Sequence, residues 1–414
     1  MAEALAAERG DPDWLRAERI AAWQAFEASP IEANQLYTPY IDLRAADLFQ
    51  ARPYITDRPP GLGADLDGLH LPAGVHVETF GQWLERDPDG ARKVLEDGAT
   101  LPDDKLAMLA RGFWSHGRHV EVADGVRLDA PIALRWPTAE PGRALVTRTV
   151  ISLGAGATAA VVEEQVDPDA TASAGARVPQ GFFHGTTEVL LSEGSSLALA
   201  SIQDAAPDQI VFQHRHARVG EGASLHWALA QLGGRLVRSR VDNRLEGDRS
   251  SVEQVEIVFG GEEQLFDLTS YTRHLGRDTT GNLLSKGALL DRSRSFMKGL
   301  ITIERSAIGT DSYLGEFGMN LSRAARAVAI PSLEIDQPDC RRAAHSSSVG
   351  PIDPAQLFYL ESRGIPPDEA RKFIVLGFLE PVVARVPLDA ARDHLRELLE
   401  AKWAAGLGAS QAAA

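Results

Sequence analysis

Between residues 150 and 258 the chain repeats one unit: an apolar strand, a tight turn at Gly or Asp, a few small residues, and a second strand. VISLGAGATAAVVEEQ is followed by EVLLSEGSSLALASIQ, then ARVGEGASLHWALAQ, then NRLEGDRSSVEQVEIV. The turn glycines Gly156, Gly194 and Gly222 lie 38 and 28 residues apart, and Gly247-Asp248 follows 25 to 26 residues later. A unit of this kind cannot bury its apolar face alone, so copies must stack. Strands alone, at this period, predict the coils of a β-solenoid. The many Ala and Ser residues suit a narrow interior. Strand patterns continue through FDLTSYTRHLG, NLLSKGALL, SRSFMKGLITIE and RAVAIPSLEI, to Ile335. An antiparallel sandwich or jelly roll is the competing architecture. It would need two-residue hairpin turns every 8–12 residues, which this stretch lacks.

Upstream of Gly117 the apolar period is that of a helix. Asp11-Pro12 reads as an N-cap followed by proline at the first helical position. Trp14, Leu15, Ala22, Trp23 and Phe26 form one stripe, and Ser29-Pro30 ends it. QLYTPYIDL is extended and turn-prone, residues 52–78 read as a loop, and GQWLERDPDGARKVLEDG and PDDKLAMLARGFW read as short helices. Near the C-terminus, Asp353-Pro354-Ala355-Gln356 opens a helix that carries Leu357, Phe358 and Leu360 and stops at Gly364. A second begins near Pro366-Pro367, with Asp368 and Glu369 in its first turn. Its apolar face is Ala370, Phe373, Ile374, Gly377 and Phe378, and Pro381 closes it. A third runs from Leu388 to Ala404. The expected division is a mainly helical region at 1–112, a mainly β solenoid core at 113–335, a junction with C-terminal helices at 336–405, and a disordered tail at 406–414.

The formal net charge of −16 repels phosphate backbones and argues against nucleic acid as a general partner. No apolar run approaches the ~18–20 residues of a membrane span. The acidic start MAEALAAERGDPDW does not read as a secretory signal. The single cysteine fits a cytoplasmic chain and cannot alone hold a cluster on four thiolates. There is no GxxxxGK[ST], HExxH, CxxC or GxSxG.

Weaker signals remain. His214 and His216 share one face of a strand and could chelate a metal, but no third ligand is indicated; a solvated face with Arg215 opposite is the plainer reading. His116 and His119 flank a glycine and read as loop decoration. ADLDG at 64–68 has too few carboxylates for a calcium loop. Cys340 is either a thiolate activated by Arg341 and Arg342 or a small apolar residue after a turn. His345 is a ligand, a proton carrier or a hydrogen-bonded loop residue. The C-terminal helices either cap the solenoid or offer an apolar groove to a partner.

Three stretches resemble the SufB/SufD family of iron–sulfur cluster assembly proteins, on the SufD side. They are WLxxxRxxAWxxF (Trp14 to Phe26) with Tyr37-Thr38, FWSHGRHVEVADGVRLDAPIAL at 113–134, and VGPIDPAQLFYLESRGI at 349–365 with Ala370, Phe373 and Ile374 after it. The resemblance implies a right-handed parallel β-helix between helical ends. It implies a non-catalytic scaffold that pairs with a SufB-like subunit through the solenoid ends and docks a SufC-like ABC ATPase on its C-terminal helices. The docking residues would be Leu357, Phe358, Tyr359, Leu360, Arg363, Gly364, Phe373 and Phe378. No cofactor would be held stably by the isolated chain, and a nascent iron–sulfur cluster would be the cargo of the complex. His345 falls on the family histidine and would contact the assembly site. Ala343 occupies the family cysteine position, so Cys340 is out of register. The solenoid ends would also allow a homodimer. Two other classes compete. An independent β-helix enzyme acting on polysaccharide could use Asp242, Arg244 and Glu246, which alternate along DNRLEG. A structural protein could self-assemble end to end.

Overall fold

A computed structural model of the chain describes residues 2–29, 51–55, 57, 59, 62, 71–100, 104–166 and 180–412. A parallel β-solenoid occupies its centre, each coil giving one strand to each of two sheets. The first sheet stacks Arg143–Leu153, Phe182–Leu191, Ile210–Val219, Leu236–Leu245, Leu265–His274, Arg294–Ile303 and Arg326–Ile335. The second stacks Ile132–Pro137, Thr158–Val166, Ser196–Gln203, Ser224–Gln231, Ser251–Gly260, Thr280–Leu289, Asp311–Asn320 and Arg342–Gly350. Leu153, Leu191, Val219 and Leu245 are successive register partners, so the first coils step by 38, 28 and 26 residues, the spacing of the turns.

Alternation decides which side chains enter the solenoid. Leu197, Leu225, Trp227, Val219 and Leu245 meet in its interior. The opposite faces are buried too. On the second sheet, Ala200, Ala228, Ile257 and Phe259 pack beneath Val375, Leu379, Leu395 and Trp403 of the C-terminal helices. On the first, Val146 and Val150 pack beneath Leu15, Trp83 and Trp114, and Phe182, Ile210 and Phe212 beneath Leu106. Strands buried on both faces carry small and apolar residues at consecutive positions, which is why ALASI and WALA look so uniform.

One row of turns is a ladder of left-handed residues. Gly156, Gly194 and Gly222 have φ of 65°, 64° and 61°, and each amide donates to a carbonyl of the next coil at 2.8 Å. In the fourth coil the left-handed position is Arg249 (φ 58°), not Gly247. Gly247 serves a different need: a Cβ there would lie 2.0 Å from the Glu221 amide nitrogen. The two glycines should therefore respond differently to alanine. Gly222→Ala, with open space around it, should cost about 1–2 kcal/mol of strain. Gly247→Ala must push two coils apart and should cost more, on the order of 3 kcal/mol. Thermal unfolding of the two variants checks the order.

Several expectations change. The solenoid does not stop at Ile335: Arg342–Gly350 adds a further strand to the second sheet. Its Ser and His residues hid the strand because no later coil covers them. Part of the stretch expected as a loop at 52–78 is paired as strand. Val75–Thr79 is a strand antiparallel to His116–Val122, and Arg52–Pro53 pairs with Arg143-Ala144. The N-terminal helices are Ala2–Arg9, Asp13–Ala28, Phe80–Arg86, Pro88–Asp97 and Lys105–Phe113. Pro12, not Asp11, stands at the cap of the second; Asp11 instead accepts from Arg19 Nε at 2.6 Å. Pro381 lies inside the helix Pro367–Val383 rather than ending it. The final helix runs Asp389–Ala412, into the tail expected to be disordered; alanine is the best helix former, and the segment is rich in it. Tyr37-Thr38 and the ADLDG stretch lie outside the described residues.

Candidate functional site

The C-terminal helices do not close the end of the solenoid. Pro367–Val383 and Asp389–Ala412 lie along the outer face of the second sheet. The buried side of Pro367–Val383 is Ala370, Val375, Leu379, Val382 and Val383. That leaves Phe373, expected on the apolar face, 61% exposed on the other side. Phe378 is turned toward the sheet, where Lys286 Nζ sits 4.6 Å from its ring centroid and donates to its carbonyl at 3.0 Å.

The preceding helix, Pro354–Ser362, has no buried residue at all. Asp353 caps it by accepting from the Ala355 amide at 2.9 Å, and Gly364 ends it at φ 86°. Phe358 and Tyr359 are 72% and 57% exposed, Leu357 and Leu360 are half-buried, and the Arg363 guanidinium lies 5.3 Å from the Tyr359 ring centroid. A shallow groove of about 430 Å³ separates the two helices, lined by Ala355, Gln356, Tyr359, Leu360 and Ile374. A short helix with no buried face and large aromatics facing water is unusual for a surface with no partner.

The last coil is a second open surface. Arg326–Ile335 and Arg342–Gly350 end their sheets, each paired on one side only. Ile335 and Val349 on these strands are 45% and 40% exposed. His345 sits on the last strand, not in a loop, in register with Leu314, and is exposed. Ser346 beside it shares a hydrogen bond with the Tyr313 hydroxyl. Cys340 is half-buried and packs with Ile301, Ile303 and Leu314, so its plainer reading, a small apolar residue, describes its surroundings. Among the described residues, neither Cys340 nor His345 joins a group of three potential metal ligands.

The groups that do form lie elsewhere. His214 and His216 are fully buried, not solvated, under the N-terminal helices, and Asp104 stands beside them as a third potential ligand. Asp104 Oδ2 is 2.5 Å from His214 Nδ1 and 3.5 Å from His216 Nε2. The sequence signals Asp104 only as a helix cap, which it also is. Burial would raise its carboxyl, but Arg240 and His214 outweigh that and hold it well below the usual range. His119 is buried on a strand, stacked 3.5 Å from Trp83 and 3.4 Å from Glu78 Oε1, rather than decorating a loop. Arg215, opposite the two histidines as expected, points into the solenoid and donates to Ser201 at 2.9 Å and Gln213 at 3.0 Å. Of the set weighed for polysaccharide chemistry, Asp242 is buried and bound by Arg240 Nε at 2.7 Å, and Arg244 pairs with Glu246 at 3.1 Å. These groups are spent on one another.

Among the described residues, no helix is long and apolar enough to cross a membrane. The family model described as "SUF system FeS cluster assembly, SufBD core domain" matches residues 136–378. The iron-sulfur cluster assembly protein SufD of Bacillus subtilis is 27% identical over 309 residues, covering 74% of this chain and 69% of that one. An iron-sulfur cluster assembly SufBD family protein of Mycobacterium bovis is 31% identical over 227 residues, 53% of this chain and 57% of its own length. One from Staphylococcus aureus is 24% identical over 323 residues, 78% and 68%. The stretch matched by the family model runs from the first coils through the last solenoid strand into the helix of Phe373 and Phe378, and on that ground the chain belongs to the SufBD family of the SUF iron–sulfur cluster assembly system.

Proposed function

We propose that this chain is a non-catalytic scaffold subunit of a cytoplasmic SUF-type complex. In this reading it pairs with a SufB-like subunit through the open last coil and docks a SufC-like ABC ATPase on Pro354–Ser362 and the outer side of Pro367–Val383. The observation that carries the docking half is the trio Phe358, Tyr359 and Phe373, each more than half exposed, the last on a helix whose other face is buried against the second sheet. Large aromatics of this kind are what interface hot spots are made from. The pairing half rests on the two unpaired strand edges with Ile335 and Val349 exposed along them. An uncovered edge is a template for another chain's strand. His345, on the last of these strands, would face the nascent cluster, which is cargo rather than a resident group.

The double variant Phe358→Ala/Phe373→Ala should weaken binding to a SufC-like ATPase at least tenfold, about 1.4 kcal/mol or more, measured by interferometry on the full chain. Pairing with a SufB-like subunit, measured by size exclusion, should not change. Unaltered ATPase affinity would remove the docking assignment. His345→Ala should leave pairing intact and slow cluster assembly in the reconstituted complex; a full rate would remove the site assignment.

A further inference from the structure

We propose that Asp104, His214 and His216 form a site for one divalent transition-metal ion, of the zinc(II) or iron(II) type, that fastens the N-terminal helices to the outer face of the solenoid. The site lies at mid-solenoid, away from the open coil that carries His345.

The ligand set is two imidazoles and one carboxylate, a combination that suits zinc(II) and iron(II). All three residues are buried, and their ligand atoms lie within 4.8 Å of one another. Strand alternation presents His214 and His216 from Ile210–Val219 on one face. The carboxylate arrives from the other layer already oriented. Its Oδ1 caps the helix Lys105–Phe113, accepting from the Leu106 and Ala107 amides at 3.2 and 3.1 Å, so Oδ2 turns toward the histidines. Metal–ligand bonds of about 2.0–2.1 Å in a tetrahedron place neighbouring ligand atoms about 3.3 Å apart. The His216–Asp104 separation of 3.5 Å already fits, and the 2.5 Å His214–Asp104 contact must open by less than an ångström.

A second observation points to a ligand. Among the described residues, His214 Nε2, both ring nitrogens of His216 and both of His184 are buried with no hydrogen bond. His184 is fully buried one strand away, its ring centroid 5.4 Å from that of His214. Buried polar atoms are normally paired, yet His216 has only long approaches to carboxylates, Nε2 at 3.5 Å from Asp104 Oδ2 and Nδ1 at 3.4 Å from Asp242 Oδ2, which leaves its ring free to bind an ion. The nearest cation, Arg240, lies 3.5 Å from Asp104 Oδ2. It grips Asp242 with Nε at 2.7 Å and Nη2 at 3.2 Å, so its charge is already met and it can remain beside a metal-bound Asp104.

The test uses the full-length chain, stripped with a chelator, and cobalt(II) and zinc(II) as probes. One equivalent of cobalt(II) should give visible d–d absorption, one zinc(II) should displace it, and the thermal midpoint should rise with either metal. His214→Ala should abolish the cobalt spectrum. Asp104→Asn preserves a capping oxygen while removing the anionic ligand, and should weaken cobalt binding at least tenfold with unchanged circular dichroism. Cys340→Ala and His345→Ala should bind as the parent does. Failure to bind a stoichiometric ion, or binding that survives in both His214→Ala and Asp104→Asn, would overturn the proposal. If His214→Ala does not fold, Asp104→Asn decides alone.

Discussion

Arg148→Ala should cost about 3–5 kcal/mol, because it leaves a buried carboxylate without its counter-charge. Arg148 is fully buried on the outer face of the first sheet. Its Nε donates to Glu188 Oε1 at 2.7 Å, its Nη1 lies 3.3 Å from Glu18 Oε1, and its Nη2 donates to the Leu95 carbonyl at 3.1 Å. One guanidinium thus ties two solenoid strands to two N-terminal helices. Glu188 completes the tie with Oε2, which accepts from the amides of Ala99 at 2.6 Å and Thr100 at 3.1 Å. Burial pushes the Glu188 carboxyl upward, but Arg148 and then Arg111 overcome it and hold the group at about 2. A carboxyl lowered in the folded state stabilises above its unfolded value near 4.5 and loses that contribution as pH falls toward 2. Removing Arg148 should therefore raise the acid-unfolding midpoint as well as lower the thermal one. Limited proteolysis should cut the variant first in the segment before His116. The double variant Arg148→Met/Glu188→Gln keeps an acceptor for the two amides and removes both charges. It should recover most of the loss, as replacements of whole buried pairs often do. A double variant as unstable as the single one would show that packing, not charge, fastens this layer.

The solenoid was legible because its turns and strands repeat in step. The glycine spacing reproduces the register offsets of the first coils. Two kinds of information were not legible. One is which face of a strand meets solvent. Alternation correctly puts His214 and His216 opposite Arg215, but nothing in QHRHARV says that helices cover one side and the solenoid encloses the other. The second is pairing across long separations. Asp104 lies 110 residues from His214, and a cap residue carries no mark of a second partner. The same limit applies to the helix of Phe373. Its apolar residues go all the way round, so periodicity alone could not choose Val375 and Leu379 as buried and Phe373 as free. The last strand was missed for the opposite reason. RAAHSSSVG belongs to a coil with nothing stacked on it, and an exposed coil does not need the apolar alternation that identifies its neighbours.

That open coil sits over a group whose titration should be felt in the stability of the whole chain. Glu316 lies on Asp311–Asn320, between Ser285 and Ser347 in register, and its side chain enters the solenoid. Oε2 accepts from the Ile330 amide at 2.8 Å, while Oε1 has no partner among the described residues. Desolvation dominates, the single amide opposes it weakly, and the carboxyl is pushed from 4.5 up to about 8. The folded state therefore holds a proton that the unfolded chain releases near pH 4.5. The contribution is fully present below that value, declines as pH rises through the window to about 8, and is gone above it. A shift of this size corresponds to on the order of 5 kcal/mol across the window. Glu316→Gln keeps an oxygen for the Ile330 amide and cannot ionise. It should match the parent at pH 5 and exceed it by a few kcal/mol at pH 9, measured by denaturant unfolding at both values. Equal pH slopes in the two proteins would show that Glu316 reaches solvent. The position adds a link to assembly: Ser347, its neighbour on the last strand, is exposed in the isolated chain. A partner seated on that strand would remove the remaining water and favour the protonated form further. Pairing through this end should therefore weaken above pH 8 in the parent and less so in Glu316→Gln.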